Sequence, residues 1–172
     1  MAWTIDPTHS HVGFSVRHMV VAKVRGTFKT FKVDLNVDEA NLHTSSVYAE
    51  IDTASVDTGA EQRDGHLKSA DFFDAANHPK LTFRSTGVEK KGEQYLVRGD
   101  LNIHGVSRPV TLEVEGGFGK DPWGNRRGMF SARTSINRKD FGLTWNQALE
   151  TGGVLVGDKV DIEIDVEAVA SK

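Results

Sequence analysis

Val160, Ile162, Ile164, Val166 and Ala168 alternate without a break with Asp161, Glu163, Asp165 and Glu167. Side chains on a β-strand change face at every residue, so this segment has one apolar and one acidic face. The same alternation recurs along the chain. Val12, Phe14 and Val16 alternate with His11, Ser15 and Arg17, and Phe31, Val33, Leu35 and Val37 with Lys32, Asp34, Asn36 and Asp38. Phe28 is out of phase with Phe31, which predicts a bulge or bend between them. Further strands are expected at Val47–Ile51, Leu81–Ser85, Tyr95–Ile103, Val110–Val114 and Phe130–Ile136.

The strand pattern lapses twice. Thr58 and Glu61 have capping-box spacing, and the segment through Leu67 predicts one short helix followed by a turn before Pro79. From Asp140 to Asp158 the alternation is lost again, around Phe141, Trp145, Leu149 and Gly152-Gly153, which leaves a lid or a short helix as alternatives. His104-Gly105 and Asp121-Pro122-Trp123-Gly124 are hairpin turns by composition. The expectation is one all-β domain over residues 1–172, an eight-stranded antiparallel barrel with a short helical insertion. A barrel of that size holds one small ligand or fills itself with side chains, and parity alone leaves both open.

Composition narrows the function. The 172 residues carry a net charge of −3 with no long basic run, which argues against nucleic-acid binding. There is no cysteine, which excludes disulfides, thiol catalysis and thiolate metal sites. No stretch approaches the roughly 18 apolar residues of a membrane span. The N-terminus has no basic or apolar leader segment, so a cytoplasmic location is expected, and a periplasmic or secreted one only if a leader was removed.

Candidate chemistry is sparse. No G-x-S-x-G, H-E-x-x-H, Walker A or G-x-G-x-x-G motif is present, and no catalytic residue, metal or cofactor is expected. His9 and His11 would share a strand face, as a metal chelate or, more simply, as a solvated pair. His66, His78 and His104 have no recurrent ligand spacing. By strand parity the candidate tail-lining residues are Phe14, Val16, Phe31, Ile51, Phe83, Val97, Phe130 and Ile136. His18 and Arg138 continue two apolar faces to their ends, where they either meet a ligand head group or point to water. Phe72, Phe141 and Trp145 complete the candidate mouth, or else cap the core.

Several segments together resemble the YceI-like family. They are Trp3–Phe14 with Arg17-His18, Arg63–Ser69 followed by Asp71–Asp74 and His78-Pro79, Gly99–Val106 with Pro109-Val110, Asn137–Leu143, and Gly157–Val160. The resemblance runs nearly end to end. It implies a lipocalin-like, extended eight-stranded barrel that binds long apolar or amphiphilic molecules, with polyisoprenoids the name attached to the family, and it brings no catalytic mechanism. Many members of that family carry a signal peptide, whereas this chain opens directly on its first strand. The resulting expectation is non-enzymatic binding, storage or transport of a polyisoprenoid, isoprenoid quinone or other long-chain lipid. The alternatives are a hydrolase or isomerase using His18 or His66, and a protein-interaction module. The oligomeric state stays open between monomer and homodimer.

Overall fold

The structure, a computed structural model, describes residues 2–19, 21–149 and 154–170. Eleven strands form one sheet: β1 (Ala2–Ile5), β2 (His11–His18), β3 (Ala22–Phe28), β4 (Phe31–Asn36), β5 (Ser46–Asp52), β6 (Val56–Asp57), β7 (Lys80–Lys91), β8 (Gln94–Ile103), β9 (Val106–Lys120), β10 (Arg126–Asn137) and β11 (Val156–Ala170). The order β1-β4-β5-β7-β8-β9-β10-β11 returns to β1, where Trp3 pairs with Ala170, and this closes an eight-stranded antiparallel barrel. Closure removes the exposed edges that half-apolar strands would otherwise present.

Eleven strands make eight barrel positions because three positions are broken. The Pro7–His9 turn interrupts β1 and β2, and both flank β11. Where parity predicted a bulge, Lys29 and Thr30 form a corner. β3 before it pairs with β2, and β4 after it pairs with β1. The neighbouring position bends at the same level through Thr53–Ser55, between β5 and β6. The two corners are stitched together by Lys29 N donating to Ser55 O (3.2 Å) and Asp52 N donating to Thr30 O (2.9 Å).

The one α-helix among the described residues, α1 (Glu61–Lys68), lies between β6 and β7. Its start differs from the predicted Thr58/Glu61 box. Asp64 Oδ1 instead accepts from Thr58 N (2.8 Å) and Thr58 Oγ1 (2.5 Å), and Arg63 donates to Thr58 Oγ1 and O. Ala60, not Thr58, is the extended residue that begins the helix, so Glu61 is its first residue and not the third, as the box requires.

The main core lies inside the barrel around Phe28, Ile51, Phe83, Leu101 and Leu112. A second buried group, Trp3, Val37 and Ala168, seals the end at which β1 begins, with Leu42 and Phe118 packed against it. The opposite end carries α1, the β2–β3 and β8–β9 turns, and the segment after β10.

Candidate functional site

The barrel encloses a cavity of about 370 Å³. It runs from Leu42, Val88 and Phe118 near the sealed end to His18, His66 and Trp145 at the helix end. Its wall is almost wholly apolar. The volume falls in the range of small-molecule sites. The cavity also shows in the strand pattern: Val33 and Leu35 of β4 face inward yet are only partly buried.

Glycines opposite large aromatics account for the open space. A Cβ on Gly26 would fall 2.5 Å from Cζ of Phe14, its cross-strand partner. A Cβ on Gly99 would collide with the Phe83 ring and the Arg84 carbonyl. The two phenylalanines therefore lie over bare backbone, along the wall, instead of crossing the lumen. Small and large inward residues do pack against each other here, and a cavity remains as a result.

At the helix end the opening is built from rings. Trp145 meets His66 edge-on (centroids 4.6 Å, interplanar angle 87°) and Phe72 at 5.4 Å, and His66 Nε2 lies 2.9 Å from Asp71 Oδ2. Phe72 comes from the turn after α1, which the sequence anticipated. Trp145 comes from the stretch where alternation fails.

Arg138 holds that stretch in place. A register shift in β11 between Val156 and Val160 takes carbonyls out of the ladder, and buried carbonyls need donors. Arg138 supplies them from Nε to Gly157 O (2.8 Å), from Nη1 to Leu143 O (2.7 Å) and Trp145 O (2.9 Å), and from Nη2 to Val156 O (3.3 Å). Burial pushes its guanidinium below the ordinary value, opposed by the nearby Asp158 carboxylate. Asn146 adds a two-way backbone mimic, accepting from Val156 N and donating to Val156 O. The described part of the stretch is thus a loop clamped to β11, not the short helix that was one alternative. Residues 150–153 lie outside the described residues.

Of the tail candidates, Phe14, Val16, Ile51, Phe83, Val97, Phe130 and Ile136 all line the cavity. Phe31 does not: it opens β4 directly after the Lys29–Thr30 corner and packs against the core without reaching the cavity wall. Of the mouth candidates, His18, Phe72, Arg138 and Trp145 line the cavity. Phe141 is 1% exposed within the Arg138–Phe141 turn and belongs to the core. Arg138, which parity left between the mouth and solvent, is at the wall, and four of its five N–H donors are taken by backbone carbonyls with Asp158 4.0 Å from Nη2, so it holds the mouth together. Sequence reasoning missed Arg63 and Leu67, which also line the cavity. A helix turned sideways over a barrel end gives no period-2 signal.

The histidines separate by location. His9 sits in the Pro7–His9 turn, bound to Asp6 (2.8 Å), while His11 begins β2, so the two do not share a strand face. His66 and Asp71 form a partly exposed pair at the mouth. The only serines on the cavity wall among the described residues, Ser45 and Ser46, are at the opposite end, out of reach of that pair.

A YceI-like domain family model matches residues 3–168. The chain is 41% identical over 165 residues to Protein YceI of Escherichia coli O157:H7, covering 95% of this chain and 83% of that one. It superposes on the crystal structure of Burkholderia cenocepacia BcnA with a TM-score of 0.84 at 27% identity, covering 97% of this chain and 99% of that one. A polyisoprenoid binding domain from Saccharophagus degradans, implicated in plant cell wall breakdown, has the same fold (TM-score 0.70, 18% identity, 99% of each chain covered).

Proposed function

The chain belongs to the YceI-like family, and on that premise we propose that it is a non-enzymatic binder of a long-chain apolar or amphiphilic lipid. The polyisoprenoid or isoprenoid-quinone class is favoured, carried or stored inside the barrel. The observation that carries this reading is the continuous apolar cavity, about 370 Å³, reaching from the ring-lined mouth to the sealed end. Each methylene buried there contributes about 0.8 kcal/mol. Ten carbons of tail give on the order of 8 kcal/mol, enough to exceed the roughly 4 kcal/mol minimum cost of association. His18, His66 and Arg63 stand where a head group would emerge. The polyisoprenoid named for the Saccharophagus domain supports the ligand class through the fold.

The enzyme reading rests on the His66–Asp71 pair alone. The nearby Ser69 hydroxyl is engaged by the backbone, donating to His66 O (2.6 Å) and accepting from Asp71 N (3.3 Å), and the ring contacts of His66 make the pair part of the mouth.

Native mass spectrometry of the purified protein, followed by extraction and identification of bound lipid, tests the proposal. A stoichiometric prenyl or acyl species is expected. Two variants then locate it. Phe130→Glu places a charge on the wall and should abolish binding, with circular dichroism to check folding. Gly26→Ala pushes the Phe14 ring toward the lumen and meets only side-chain atoms, so it should fold and lose affinity for long tails. A folded Gly26→Ala that binds long tails unchanged, or a wild-type chain that refuses both prenyl and acyl lipids, overturns the reading.

A further inference from the structure

Asp74, His78 and His104 come together outside the cavity, although they are far apart in the chain and none has a place in lipid binding. Their carboxylate and imidazole ligand atoms all lie within 4.8 Å of one another, and all three residues are partly buried. We propose that these three side chains form a binding site for a late first-row divalent cation of the zinc type.

The local chain explains the convergence. His78 N donates to Asp74 O (2.8 Å), closing a single turn that brings the two residues together. Pro79 keeps His78 from continuing that turn. Thr53, fully buried, pins the segment by donating from Oγ1 to His78 O (2.9 Å) and from N to Pro79 O (3.1 Å). His104 arrives from the β8–β9 turn, where it and Gly105 both have positive φ (57° and 76°), the geometry of a type I′ hairpin. Its ring stands 4.7 Å from the His78 ring, centroid to centroid.

The donor set selects the ion. Two imidazoles and one carboxylate, with no thiolate, suit zinc and its neighbours rather than calcium or magnesium, which take oxygen cages. Zinc–ligand bonds of about 2.0–2.1 Å place tetrahedral donors about 3.3–3.4 Å apart, so a closure of up to about 1.5 Å completes the site. The orienting contact that metal ligands need is already made. Asn77 Nδ2 donates to Asp74 Oδ2 (2.9 Å), which leaves Oδ1 for the ion. Three protein ligands leave a fourth position for water. The bound ion would tie the turn that carries Phe72 and Phe73 to the β8–β9 hairpin.

The test is a calorimetric Zn²⁺ titration of the untagged full chain after chelator treatment, with Co²⁺ absorption reporting coordination. One ion per chain is expected, with tetrahedral Co²⁺ bands and a thermal midpoint raised by Zn²⁺. Asp74→Asn and His104→Asn suit the check because asparagine tolerates the left-handed backbone both residues adopt (φ 48° and 57°). Each should weaken binding by more than the roughly 10–100-fold typical of losing an orienting contact. His9→Gln, which alters the other His/Asp/Glu grouping (Asp6, His9, Glu167), should leave the affinity unchanged. No binding at millimolar Zn²⁺ would overturn the site. So would undiminished binding in both asparagine variants, or loss of binding in His9→Gln alone.

Discussion

At one end of the barrel Trp3, Val37 and Ala168 are buried together against Leu42 and Phe118, a seal made of contact area. At the other, Arg138 commits its guanidinium to four backbone carbonyls, and a ring cluster of His66, Phe72 and Trp145 frames the opening. The two ends solve different problems. The sealed end joins regular strands with one loop, residues 37–45, that meets its own backbone needs through the Asp38 and Ser45 side chains, so apolar packing suffices for the rest. The open end joins a bulged strand to a non-alternating loop, whose carbonyls need donors. An entrance is thereby kept free of packed side chains yet held in shape.

The ends should therefore respond oppositely to loss of a polar group. Arg138→Met leaves the Gly157, Leu143 and Trp145 carbonyls without their side-chain donor, while Val156 O keeps Asn146, and should cost about 4 kcal/mol in urea unfolding. Arg138→Lys, with three donors and no fork, should recover only part. At the sealed end Trp3→Ala should cost about 3 kcal/mol through the cavity it leaves. Trp3 Nε1, however, is buried with no hydrogen-bond partner among the described residues, so Trp3→Phe removes an unpaired donor along with some volume. Its cost should stay within about 1.5 kcal/mol. A Trp3→Phe loss equal to that of Trp3→Ala would mean that Nε1 is paired after all, and that the seal is not purely apolar.

The same contrast explains what could be read in advance. Wherever a strand runs unbroken, as from Phe130 to Ile136 or Val160 to Ala168, parity alone assigned the inward face. It also took His18 and Arg138 to the ends of two such faces. Parity failed at corners and turns. Phe31 has the right phase but follows a corner, while Phe141, in a stretch without parity and left between mouth and core, sits in a turn that buries it. The role of Arg138 was hidden because it depends on a bulge in β11, eighteen residues away at Val156. Likewise, nothing in the spacing of Asp74, His78 and His104 shows that a hairpin turn will meet the loop after α1.

A smaller effect separates mouth from scaffold. Trp145 touches rings but donates no hydrogen bond among the described residues, so Trp145→Ala should cost about 1 kcal/mol in stability, the value of an exposed-edge aromatic contact. If the ring helps to retain the ligand, affinity should fall roughly tenfold, corresponding to about 1.4 kcal/mol, mostly through faster dissociation. Stopped-flow displacement of a fluorescent prenyl or acyl probe measures this. An unchanged dissociation rate would move the entrance elsewhere on the barrel.

The smallest expected effect lies at the polar rim of the sealed end and depends on pH. Asp6 accepts from Thr8 Oγ1 (2.6 Å), Thr8 N (3.0 Å) and His9 Nδ1 (2.8 Å). These bonds, the Thr8 hydroxyl's first, hold its carboxyl at about 2 instead of the ordinary 3.8. His9 is raised above 6.5 by its bond to Asp6 and then by the negative charges of Asp6 and Glu167. A depressed acid stabilises the fold above its unfolded value, and that contribution is lost as pH falls through the folded one, here from about 4 to about 2. A raised histidine stabilises the fold below its unfolded value, and that contribution is lost as pH climbs past about 6.5 and through the folded value. The pair therefore contributes fully only between about pH 4 and 6.5. His9 is exposed and Asp6 only partly buried, so the effect is small, but its shape is distinctive. The difference in urea midpoint between wild type and Asp6→Asn should peak near pH 5.5 and shrink on both sides. A difference constant with pH would show that Asp6 serves only as the cap of the Pro7–His9 turn, with no electrostatic part in joining β1 to β2.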